Sequence, residues 1–228
     1  MIRPNHTYCS LFLLIISFVL FCSTGKASAQ TKNIAEQPDT IPLLCGIQVS
    51  ADLAGVAQVV LSDYGQYEAA LRVSIQDKYF PVFELGMGKA KHDDELTGIH
   101  YDTSSPYARI GMDVNILRKR LTGNRLYVGA RYAFSPFKYT CTALVKDPVW
   151  GSTGEYGYSG IKASMHWAEL VFGAEAKVTG PVHVGWSFRY RQKISADFGD
   201  FEKAWYIPGY GKDGSSSLSG TFYVGIEI

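Results

Sequence analysis

The stretch PVHVGWSFRYRQ, residues 181–192, decides how the chain is to be read. As a strand it puts Val182, Val184, Trp186, Phe188 and Tyr190 on one side. His183, Gly185, Ser187, Arg189 and Arg191 fall on the other. Side chains repeat every two residues in a strand, so one face is apolar and the other charged. The fold depends on which face meets the surrounding solvent.

The same alternation recurs along the chain and predicts eight strands, at 44–53, 67–76, 80–88, 107–117, 125–135, 166–178, 182–191 and 219–228. Their connections alternate in length. Residues 77–79, the segment RKRLTGN (118–124) and Thr179-Gly180-Pro181 are tight; 54–66, 89–106, 136–165 and 192–218 are long. In an up-and-down barrel, this arrangement puts every tight turn at one end and every long loop at the other. Transmembrane barrels of the outer membrane have that asymmetry. An even strand number also returns both termini to the tight-turn end. A soluble β-sandwich shares the alternation with its greasy face inward, but gives connection lengths no reason to alternate.

The two faces sharpen the choice. By parity with Trp186, one face collects residues such as Ile47, Val49, Leu71, Phe83, Leu85, Met87, Ile110, Met112, Val128, Leu170, Phe172 and Phe222, with no charge within the strands. The other carries Gln48, Asp52, Arg72, Glu84, Arg109, Asp113, Arg131, Glu169, Glu175, Lys177, Arg189, Arg191 and Glu227. Gly86, Gly111, Gly129, Gly173, Gly185 and Gly225 lie between them. Glycine weakens an open surface strand, but inside a narrow barrel it makes room for long side chains. Acids and bases in balance can pair there. The apolar face is therefore expected in lipid, and the charges in the lumen. An ion-pair network is expected among Arg72, Glu84, Arg109, Asp113, Arg131, Glu169, Glu175 and Arg189. Five outward residues cover roughly 20 Å of height at a tilt near 40°, close to the apolar band of such barrels. Eight strands leave an interior that side chains fill, which argues against an open pore.

The chain ends and its composition fit export. Arg3 and His6 precede LFLLIISFVLF (11–21), and Ala27-Ser28-Ala29 offers a small-x-small cleavage site. Residues 1–29 are expected to be a secretory signal peptide, 30–43 a disordered periplasmic segment, and 44–228 the barrel. Phe21 before Cys22 does not fit a lipoprotein site. Without Arg3 and Lys26 the balance is 20 basic to 21 acidic side chains, which gives nucleic acid no broad attraction. Cys45 and Cys141 remain after cleavage. The layout puts them at opposite ends of the barrel, too far apart to bridge.

The loop asymmetry and the last strand, GTFYVGIEI, resemble small OmpA-like barrels of Gram-negative outer membranes. DYGQYEAALRVSI, KYFPVFELGMGKA, HWAELVFGAEAKVTGPVHVGWSFRYR and AWYIPGYGKDG resemble an uncharacterised family of exported outer-membrane barrels, over nearly the whole mature chain. The resemblance implies the same fold and location and supplies no activity. Ile228 stands where the commonest outer-membrane pattern ends in Phe.

Candidates for chemistry are few. Small barrels include lipid A deacylases and palmitoyltransferases, which draws attention to Ser164 and His166, two residues apart near the outer leaflet. A serine nucleophile needs a base within reach and a group to orient it. Here the order is Ser-Met-His rather than His-x-Ser, and Glu169 has the opposite parity, so the bland reading is an interfacial polar pair. His183 reads as a member of a lumen hydrogen-bond network. His92, Asp93, Asp94 and Glu95 lack the spacing of a calcium loop and read as a solvated loop tip. Trp205, Tyr206 and Tyr210 can serve either as a partner-contact loop or as a packed lid, and WGSTGEYGYSG (150–160) is similar. The expectation is a monomeric, non-enzymatic outer-membrane barrel without cofactor or metal. It would act through long external loops on lipopolysaccharide or a protein, or through Arg118, Lys119 and Arg120 on a periplasmic partner. The alternative is a lipid A-modifying enzyme of acyl hydrolase or acyltransferase type.

Overall fold

The computed structural model describes residues 42–94, 98–117, 123–146, 153–199 and 203–228. Its elements in chain order are β1 (Leu44–Asp52), α1 (Leu53–Leu61), β2 (Tyr64–Ile75), β3 (Tyr79–Asp94) and β4 (Ile99–Asn115). They continue with β5 (Arg125–Lys146), β6 (Thr153–Thr179), β7 (Val182–Asp197), the two-residue strands β8 (Tyr206–Ile207) and β9 (Gly211–Lys212), and β10 (Ser216–Glu227). Eight antiparallel strands close into a barrel in the order β1-β10-β7-β6-β5-β4-β3-β2. The closing seam pairs Gln48 with Glu227 and Ala51 with Val224, and Ile47 and Ile228 exchange backbone bonds of 3.0 and 2.7 Å. β8 and β9 form a separate small hairpin.

The expected faces are the observed ones. Trp186 is 40 % exposed on the outside, in edge-to-face contact with Phe172 and Phe188, while Arg189 and Arg191 lie buried within. Ile110, Met112, Val128, Leu170 and Phe222 are all exposed on the outer wall. The exterior is thus the inverse of a water-soluble protein's, which is the pattern of a wall solvated by lipid. Lys177 keeps its parity, since it pairs with the inward His183. The register shifts only beyond it, between Lys177 and Thr179, and Lys177 is exposed at the tight-turn rim of the barrel.

The structure differs from expectation at the loop end. The sequence predicts loops at 89–106 and 136–165, yet β3, β4, β5 and β6 run on through most of both segments as tall hairpins. Along these extensions the polarity of the wall inverts. On β3, Met87 faces out below and Lys89, Lys91 and Asp93 face out above; on β5, Tyr132 and Phe134 give way to Lys138. Inward positions change from Arg131 to Phe137 and Tyr139, and from Glu169 to Trp167, Met165 and Ala163. Lipid outside calls for apolar side chains outside; water outside calls for the ordinary arrangement, with the core within. The barrel therefore has a charged lumen below and an apolar, aromatic core above.

Residues 54–66, also read as a loop, contain α1. Asp52 caps it, its carboxylate accepting from the amides of Ala54 (3.0 Å) and Gly55 (3.1 Å).

Candidate functional site

The lumen is built by cross-strand neighbours. Register sets Glu84 beside Arg109, Arg131 beside Glu169, and Glu169 beside Arg191. Nearest the tight turns, Arg125 reaches Glu175 (2.9 Å), Glu227 (2.6 Å) and Asp77 (3.4 Å). Buried His183 lies between Glu175 (3.1 Å) and Glu227 (2.9 Å). One step up, Arg72 spans Glu175 (2.7 Å) and Asp113 (3.2 Å), with its guanidinium 4.8 Å from the Tyr127 ring centre. Arg131 then links Asp113 (3.0 Å) to Glu84 (2.9 Å). At the top Arg189 joins Glu84 (2.8 Å) and Glu68 (2.9 Å), and Arg109 contacts Glu68, Glu84 (3.2 Å) and Glu169 (2.9 Å). The Trp167 indole donates to Glu169 at 2.6 Å.

Arg72, Glu84, Arg109, Asp113, Arg131, Glu169, Glu175 and Arg189 thus lie in one connected set. Sequence reasoning passed over Glu68, Arg125 and Asp77. The first two were legible: Glu68 shares the parity of Arg72, and Arg125 that of Arg131. Asp77 sits in the β2–β3 turn, where parity says nothing. The space left inside is small. The cavity bounded by Asp52, Glu68, Arg72, Glu84, Arg131 and Arg189 holds about 20 Å³, room for roughly one water.

Above the charges sits a plug. The connection from β7 to β10 turns inward, so that Tyr206, Ile207 and Tyr210 are 2 %, 0 % and 0 % exposed. Arg109 donates to the Gly209 carbonyl and Arg191 to that of Tyr210, each at 2.7 Å. Tyr101 donates to the Tyr206 carbonyl at 2.7 Å. The Tyr107 ring lies between two glycines; a Cβ on Gly86 would fall 2.2 Å from it, and one on Gly209 2.6 Å from it. Gly209 also adopts φ +81°, which a side chain would strain. Burial pushes the Tyr206 hydroxyl up to about 12, so it stays neutral in the plug. Of the three aromatic residues singled out in this loop, only Trp205 keeps partial exposure. It stacks on His92 with ring centres 4.3 Å apart. Tyr206 and Tyr210 thus form the lid of the barrel, and Trp205 stands at its edge.

Ser164 and His166 face outward on β6 near the level where the wall changes polarity. No hydrogen bond joins them among the described residues. Instead the Tyr132 hydroxyl and His166 Nδ1 are 2.6 Å apart, and the imidazole stacks on Phe134 at 4.5 Å. Glu169 points into the lumen. The arrangement contains a base held by a phenol, but no activated serine. At the β3–β4 tip His100 hydrogen-bonds Asp93, and His92 lies 3.4 Å from Asp63; Glu95 falls outside the described residues. Among the described residues no group of three or more His, Cys, Asp or Glu could hold a metal ion. Cys45 and Cys141 are both free. Arg118, Lys119 and Arg120 fall outside the described residues.

Residues 11–226 match the family described as "Domain of unknown function (DUF6048)", and the chain belongs to that family. Comparison with curated proteins gives no match. Among solved structures the chain is similar to CarO2 of Acinetobacter baumannii, at 14 % identity and TM-score 0.41, covering 82 % of this chain and 99 % of that one. Neisserial surface protein A (NspA) aligns at 13 % identity and TM-score 0.38, covering 80 % and 95 %. The N-terminal β-barrel domain of Pseudomonas aeruginosa OprF aligns at 15 % identity and TM-score 0.34, covering 80 % and 97 %. Likenesses this distant assign no role to the chain.

Proposed function

We propose that this member of the family is a closed, non-enzymatic outer-membrane barrel whose role is carried by its external surface. In this reading residues 1–29 direct export and are cleaved, residues 30–43 stay periplasmic, and the tall hairpins face the outside as a monomer. The observation that carries it is the filling of the lumen. Ion pairs occupy the lower barrel from wall to wall, and the inward loop 203–215 seals the upper part. A barrel closed twice over has no conduit to offer, so its working parts are its surfaces. With Tyr206 and Tyr210 turned inward, the outward aromatics of the β5–β6 hairpin, Tyr156 and Tyr158, become the best contact for lipopolysaccharide or a protein partner. A lipid-modifying role at Ser164 and His166 has less support, because Tyr132 occupies the imidazole nitrogen that an orienting acid would take.

Planar-bilayer recording of the purified protein tests the reading, with heat-modifiable gel migration as proof of a folded barrel. Folded protein that inserts without steady large conductance is the expected result. Large open-channel steps from the folded form would overturn it.

A further inference from the structure

The wall of this barrel is not made of strands all the way round. β1 ends at Asp52, paired with Tyr223 on β10, while Ala51 pairs with Ala69 on β2. Both neighbours continue: β2 extends on to Tyr64 and β10 to Ser216, and each keeps pairing on its other side, with β3 and β7. A gap therefore opens in the upper wall between β2 and β10, and α1 stands in it. A Cβ on Gly55 would fall 2.5 Å from the Gln66 carbonyl, and one on Gly65 2.5 Å from Val59. The side of the helix carrying Gly55 and Val59 is thus pressed against the barrel.

The opposite side is a continuous apolar stripe. Leu53, Val56, Ala57, Val60 and Leu61 follow the spacing i, i+3, i+4, i+7, i+8 and are all exposed; Val60 and Leu61 are 78 % and 77 % exposed. α1 contains no charged residue. Leu53 continues the outward parity of Ile47, Val49 and Ala51, so the stripe begins as a prolongation of the lipid-facing row. It is flanked by the outward residues of the two adjoining strands, Tyr67 on β2 and Phe222 and Leu218 on β10. Tyr67 pairs with Met87, just below the change to outward Lys89. The helix therefore stands at the edge of the apolar band, continuous with it.

We infer that α1 is a lipid-facing piece of the barrel wall, its stripe covered by the acyl chains of the leaflet at the loop end. The inference rests on the membrane reading of the barrel. A helix suits the place because it satisfies its own backbone bonds, which a strand fragment in that gap could not do without a partner on each side.

The test is site-directed spin labelling in phosphatidylcholine nanodiscs, on a Cys45→Ser, Cys141→Ser background. Single cysteines replace Val60, Leu61, Phe188 and Lys138, and gel migration confirms folding of each variant. Labels at 60 and 61 are expected to relax with oxygen, which partitions into lipid, and not with a water-soluble nickel chelate, matching the label at 188. Accessibility to nickel like that at 138 would overturn the inference, as would protection from both agents, which would mean coverage by protein or a second copy. If the label at 188 were itself open to nickel, the membrane reading would fail along with it.

Discussion

At the scale of single residues, the lumen works because each arginine is shared. Arg131 holds Asp113 at 3.0 Å with one nitrogen and Glu84 at 2.9 Å with another, a fork that lysine cannot reproduce. Arg131→Leu takes one partner from each of two buried carboxylates, leaving Asp113 to Arg72 and Glu84 to Arg109 and Arg189, and is expected to cost up to about 3 kcal/mol. Arg131→Lys should cost less, because a point charge still neutralises one of them. Urea unfolding in detergent micelles, followed by gel mobility, measures both; equal losses would mean that the fork has no importance. Ser164→Ala is expected to change nothing in lipid A acylation when cells carrying it are compared with wild type and deletion by mass spectrometry. An altered pattern shared by the deletion and the variant would restore the enzymatic reading.

At the scale of elements, the β3–β4 tip carries a clasp with a defined pH sign. The hydrogen bond from His100 holds the Asp93 carboxyl below its ordinary range. A depressed acid lends its stabilisation above its unfolded pKa, about 3.9, and loses it as the pH falls through the lower folded value. Protection factors of the tip amides, which remove the intrinsic pH dependence of exchange, should therefore fall below about pH 4, and Asp93→Asn should abolish that step. These tips also show where sequence stops being legible. Within the lipid band, alternation had one meaning, and it placed Trp186 outside and Arg189 inside. Above the band the sign reverses, and Tyr101, Thr103 and Ser105 face in against Asp102 and Ser104. Small polar residues on both faces blunt that contrast, so the extensions read as loops. α1 was hidden differently. LAGVAQVVL is rich in β-branched residues, lacks a polar face, and has no acid in its first turn to announce it. Its helical form is set by the Asp52 cap and by the gap it fills. The inward course of residues 203–215 has no periodic signal at all. It follows from Arg109 and Arg191, whose free donors find carbonyls there.

At the scale of the whole molecule, closure comes from two unlike materials. A plug of backbone and tyrosine sits in the upper barrel, and below it a lattice of ion pairs runs from Arg189 down to Arg125. If the plug alone sealed the barrel, replacing residues 204–214 with a short Gly-Ser linker would open it. The geometry argues otherwise, since ion pairs cross the lumen below the loop and the cavity among them has room for roughly one water. The deletion should therefore leave conductance near that of the intact protein. It should lower stability, because Arg109 and Arg191 lose their carbonyl partners; each buried charge-assisted hydrogen bond contributes about 1.5 to 3 kcal/mol. Combining the deletion with Arg131→Ala and Arg189→Ala removes the side chains that cross the middle of the lumen, and only then is a steady current expected, provided the barrel still migrates as folded. A single-channel record of the loop deletion decides the matter. Large conductance from that variant alone would make the loop the sole gate and the ion pairs merely a lining.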